Sequence, residues 1–144
     1  MVIVMIGIMA AIAYPRLSNS GFDEGGYREQ VIASLSYARK AAVAQRRNVR
    51  VTLSNNSLNF LIANDIPEGP NGLNFAPANA RNLVLPGSTS SQISPRGNST
   101  LAGPATLMFS PLGVASSPTS AYVYTITGAQ ARTFQVDPVS GYVY

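Results

Sequence analysis

The sequence predicts an α+β protein: one long N-terminal helix, apolar in its first half and amphipathic in its second, packed on a C-terminal antiparallel β-sheet or β-sandwich. Three observations predict it. Met1 to Ala13 contains no charged residue. Tyr27, Val31, Leu35, Ala38 and Ala42 then recur at three- and four-residue steps, the spacing of one helix face. After Asn48 the helical period gives way to short segments rich in Val, Thr, Tyr and Phe, bounded by Gly, Pro, Asn and Ser.

The apolar element occupies residues 1–17, MVIVMIGIMAAIAYPRL. Its uncharged run falls short of the roughly 20 apolar residues that a helix needs to cross a bilayer core. Pro15 should kink or end the helix, because its ring clashes with the preceding turn and it donates no hydrogen bond. Residues 18–26, SNSGFDEGG, follow with three glycines and read as a break. Residues 27–48 read as the amphipathic helix, rich in alanine and free of Gly and Pro. Arg46 and Arg47 stand in its expected last turn, where cations complement the dipole, with Asn48 as terminator.

Residues 49–144 read as the β domain. VRVTLS (49–54) and LNFLIA (58–63) flank Asn55-Asn56 and predict a hairpin. Residues 64–104 are rich in Pro, Gly, Asn and Ser and predict short strands joined by long turns. TLMFS (106–110), AYVYTIT (121–127), RTFQV (132–136) and YVY (142–144) are β-rich, and DPVSG (137–141) supplies turn chemistry between the last two.

Composition narrows function. The chain has no Cys and no His, which removes disulfides, thiolate zinc sites, the usual general base and any Ser-His-Asp arrangement. The six acids are scattered; Asp65 and Glu68 flank Pro67 and read as solvated loop carboxylates. No glycine-rich phosphate loop or nucleophile elbow occurs. No catalytic, cofactor-binding or metal-binding residue is expected, and the chain does not read as an enzyme.

An apolar stretch leading past a proline into an amphipathic helix and then a β domain resembles the type IV pilin-like proteins. VIVMIGIMAAIAYPRL is similar to the stretch with which that family's N-terminal helix continues after its start, with Gly7 and Pro15 in the expected places. LSYARKAAVAQRRNVRVTL (35–53) and FSPLGV (109–114) are similar to the GspH/FimT group of minor pilins and pseudopilins, and the helical stretch also to minor pilins of mannose-sensitive haemagglutinin type. The resemblance implies a pilin-like fold and a non-catalytic subunit of a type IV pilus or type II secretion system. It implies a single pass through the bacterial inner membrane, with the β domain in the periplasm. Val2, Ile3, Val4, Ile6, Gly7, Ile8, Ile12 and Pro15 would then serve membrane anchoring and filament packing. The implied partners are other pilin or pseudopilin subunits, the inner membrane and, if the full-length start exists, prepilin peptidase. The family's glycine-phenylalanine cleavage site, threonine-leucine pair and glutamate would lie one or two helical turns upstream of Met1.

Alternatives accompany each feature. The apolar run also suits a signal peptide, with Ala11-Ile12-Ala13 as a cleavage site, although the basic start of such a peptide is missing. Arg39, Lys40, Arg46, Arg47 and Arg50 make five of the ten cations, with no acid among them. They suggest a basic helix face for DNA in uptake, a solvated face that complements the helix dipole, or contacts to neighbouring subunits. No aromatic residue interleaves them to stack bases. Tyr122, Tyr124, Tyr142 and Tyr144 alternate at strand spacing, which fits either an exposed ladder or cross-strand packing.

Overall fold

The structure, a computed structural model, describes residues 20–116 and 121–144. Helix α1 runs Ser20–Gln45, with Asp23 in its first turn where an acid complements the dipole. The break expected over residues 18–26 is therefore helical from Ser20 onward. Gly25 and Gly26 have nothing within 4 Å of where a Cβ would stand, so no packing demands them. The turn is held helical by tertiary contact, because Glu24 and Tyr27 on either side are buried. The apolar run with Pro15 lies outside the described residues.

The helix ends earlier than its periodicity suggests. Arg46 takes a left-handed conformation (φ 51°). Its N–H reaches the Val43 carbonyl at 3.3 Å and the Arg47 N–H reaches Ala42 at 3.1 Å. That pair of bonds is a Schellman cap, with arginine where glycine is usual. Asn48 terminates nothing; it is buried, and its side-chain amide donates to the Gly72 carbonyl at 2.7 Å.

Strands β1 (Val49–Ser54) and β2 (Ser57–Ala63) form the expected hairpin, pairing Ser54 with Ser57. Asn55 and Asn56 both adopt positive φ (48° and 65°), as a two-residue type I′ turn requires. The others are β3 (Ala80–Asn82), β4 (Gln92–Ile93), β5 (Thr100–Ala102), β6 (Thr106–Phe109), β7 (Tyr122–Thr127) and β8 (Arg132–Val136). One antiparallel sheet has the order β3-β2-β1-β6, with β4 also pairing β2, and the second has the order β5-β7-β8. The terminal YVY segment lies against β8, where Gln135 and Tyr144 exchange backbone bonds at 2.7 and 3.0 Å.

The predicted stripe of Tyr27, Val31, Leu35, Ala38 and Ala42 is buried at 0–1% exposure. It meets Val49, Val51, Phe60, Ile62, Leu107 and Phe109 of one sheet and Tyr124, Ile126, Phe134 and Val136 of the other in a single core. Alternation along β1 and β7 sends every second residue inward, so one helix face closes both sheets. The Tyr124 and Phe134 rings, cross-strand partners, stack 5.1 Å apart.

Candidate interaction surface

The sequence singles out five cations, and the structure disperses them. Only Arg39 and Lys40 lie on the helix; Arg46 and Arg47 form its cap and Arg50 is on β1. Arg39 is partly buried. Its Nε donates to the Gly113 carbonyl at 3.1 Å, and its guanidinium stands 4.7 Å over the Tyr142 ring. Arg47 donates to the Ala63 carbonyl at 3.2 Å. Arg50 lies between the inward-facing Val49 and Val51, and therefore on the sheet face away from the helix. There it stacks 4.6 Å over Phe75 and donates to that residue's carbonyl at 3.4 Å. Lys40 and Arg46 are exposed. The expected basic helix face is thus not one surface, because three of its members are drawn to backbone carbonyls on separate elements.

The tyrosines divide as well. Tyr122 and Tyr124 are core residues, whereas Tyr142 and Tyr144 are exposed. Burial pushes the Tyr27 hydroxyl up to about 12, and burial, with Tyr122 nearby, raises Tyr124 still further. At the DPVSG turn the Asp137 carboxylate accepts the N–H groups of Ser140 at 2.8 Å and Val139 at 2.7 Å, which lowers its pKa.

Sequence reasoning missed two features. Glu24, read there as one of the scattered acids, is 1% exposed and accepts the backbone N–H groups of Ala129 and Gln130 at the β7–β8 turn. The signal was present, since Glu24 lies three residues before Tyr27 and continues the buried stripe by one turn. The second is a groove of about 750 Å³ beyond the helix cap. Arg46, Ile66, Pro67, Glu68, Leu73, Met108, Pro111 and Leu112 line it, and the Asp65–Asn74 loop and the FSPLGV turn form its walls. Ile66, Leu73 and Leu112 are 50%, 67% and 86% exposed there. No sequence pattern marked it, because its walls come from loops far apart in the chain.

None of these surfaces gathers a nucleophile with a base. What the arrangement offers is apolar contact, stacked arginine and exposed aromatic rings, the materials of protein association. Comparison with known proteins agrees in kind. The family model for the type II transport protein GspH matches residues 28–140. Two crystal structures of the type IV minor pilin FimU of Pseudomonas aeruginosa (strain PAO1) are similar in fold. The form in space group P21 has a TM-score of 0.56 at 17% identity, covering 83% of this chain and 85% of that one. The form in P65 has a TM-score of 0.54 at 17% identity, covering 83% and 90%. No curated protein matches the chain. The helix laid on antiparallel sheets is the pilin fold.

Proposed function

The chain belongs to the GspH family of type II transport proteins, and from that premise we propose that it is a non-catalytic minor pilin or pseudopilin, a subunit of a type IV pilus or type II secretion filament. Val2, Ile3, Val4, Ile6, Gly7, Ile8 and Ile12 hold it in the inner membrane before assembly, where a helix satisfies all its backbone groups internally. On assembly the same residues exchange lipid for the apolar helices of neighbouring subunits, and Pro15 re-aims the helix toward a periplasmic β domain. Where the upstream processing site is encoded, prepilin peptidase acts before assembly.

One observation carries this reading: α1 runs without interruption from Ser20 into the core of the β domain. The residues that follow the apolar run in sequence, from Ser20 onward, are thereby fixed to the core of the β domain. No described helix is itself long and apolar enough to cross a membrane.

The test is complementation of a strain lacking the gene. The Ile8→Arg chain is expected to leave the membrane fraction and to be absent from sheared filaments or the secretion complex, while its β domain stays folded. Membrane retention and assembly equal to the parent chain would overturn the proposal. DNA binding through Arg39, Lys40, Arg46, Arg47 and Arg50 is the second reading. It is weakened by the internal contacts of Arg39, Arg47 and Arg50. Loss of DNA retention in a Lys40→Glu, Arg46→Glu chain that still assembles would favour it.

A further inference from the structure

The groove beyond the helix cap sits beside a protrusion. Leu112 crowns the FSPLGV turn at 86% exposure, and the groove next to it is walled by Ile66, Leu73 and Met108. The turn is rigidly made: Gly113 N–H donates to the Ser110 carbonyl at 2.9 Å, Ser110 N–H to Val114 at 2.9 Å, and Arg39 holds Gly113 from the helix. An apolar knob fixed beside an apolar hole cannot fill its own groove. Two copies related by a two-fold axis can each fill the other's, which is how an isologous interface closes.

Charge points to the same occupant. Arg46 and Glu68 both line the groove, both are exposed, and neither has an ion-pair partner among the described residues. A groove carrying one unpaired charge of each sign is complementary to itself under a two-fold rotation. A strongly acidic or basic partner would leave one of the two charges opposed by its own sign.

We propose that this groove seats Leu112 of a second copy of the chain, in a reciprocal pair that sets Arg46 of each copy against Glu68 of the other. The pairing surface lies at the end of α1 opposite the apolar run. A helix of this length places the pairing surface roughly 40 Å from the Ser20 end of α1. The inference does not depend on the filament role.

The chain contains no cysteine, which makes cross-linking a clean test. Two full-length single-cysteine chains with different tags, one Leu112→Cys and one Leu73→Cys, are co-expressed and oxidised. A disulfide-linked species carrying both tags is expected. Arg46→Glu in both chains should lower its yield several-fold, and Arg46→Glu with Glu68→Arg in the same chain should restore it. That rescue is the signature of self-pairing, since no foreign partner would be repaired by swapping both charges on one chain. Both altered side chains are exposed, so the fold should persist, and its circular dichroism checks this. Folded chains that give no mixed disulfide, a cross-link to a different protein instead, or a double swap without rescue would each overturn the proposal.

Discussion

The carboxylate of Glu24, buried on the helix, accepts the backbone N–H of Gln130 at 2.9 Å across 106 residues of chain. The neighbouring Ala129 N–H donates to the same carboxylate, and a Cβ added at Gly128 would collide with its Oε1 atom. Removing the buried acceptor takes a charge-assisted hydrogen bond from each of the two donors. Glu24→Ala should therefore cost about 1.5–3 kcal/mol, the range for hydrogen bonds to a charged group. Gly128→Ala should also destabilise, but much less in the Glu24→Ala background, because the obstacle is gone. Urea midpoints of the four chains give the coupling, and strict additivity would show that the two residues do not meet.

This pair also shows what the sequence conveyed and what it did not. The period of Tyr27 to Ala42 identified the helix face that closes the core, since burial of one face is a local, repeating demand. Asn55-Asn56 located the hairpin, because a two-residue turn needs positive φ at both positions. Gly25-Gly26 misled, because the propensity of a pair of glycines is outweighed by the burial of Glu24 and Tyr27 beside them. Arg39 was legible as a cation but not as the tie between helix and FSPLGV turn, which depends on a carbonyl 74 residues away. The groove was invisible for the same reason, as its walls join only in the folded chain.

Stability should fall at high pH through two tyrosines. The folded chain keeps Tyr27 protonated up to about pH 12, against 10.0 for the free side chain, because burial disfavours the phenolate. A raised folded pKa contributes stability that is complete below pH 10.0 and is lost as pH rises toward about 12. Tyrosinate absorbance should therefore show exposed residues titrating first and a late group released only with unfolding. The Tyr27 hydroxyl has no hydrogen-bond partner among the described residues. Tyr27→Phe should leave neutral stability unchanged or improved, and should shift the alkaline loss toward that of Tyr124. A fully reversible titration of all tyrosines in the folded state would refute this.

The acid limb should be local to the C-terminal turn. Backbone N–H groups of Ser140 and Val139 hold the Asp137 carboxyl below its ordinary 3.8. A depressed folded pKa contributes stability present above that value and lost as pH falls through the folded one. The pairing of Tyr144 with Gln135 should therefore loosen below about pH 3.8 before the core does. Amide exchange at Tyr144 against pH measures this, and Asp137→Asn should remove the pH dependence. An NMR titration placing the Asp137 pKa at or above 3.8 would contradict it.

Arg39 joins three separate elements, and its replacement should separate structural from surface cations. Its Nε bond to Gly113 sits against Gly141, whose positive φ (65°) and contact with the Gly113 carbonyl leave no room for a side chain. Tyr142 covers the guanidinium. Arg39→Ala should lose about 1–2 kcal/mol, from one charge-assisted hydrogen bond and a partly exposed cation–π contact. Arg39→Lys should recover little, since an ammonium cannot both stack flat on Tyr142 and donate sideways to Gly113. Lys40→Ala and Arg46→Ala, both at exposed positions, should stay within about 0.5 kcal/mol of the parent. Denaturation midpoints for the four variants decide the matter. Equal effects at positions 39 and 40 would mean that Arg39 is only another surface charge and that the FSPLGV turn is held to the helix by something else.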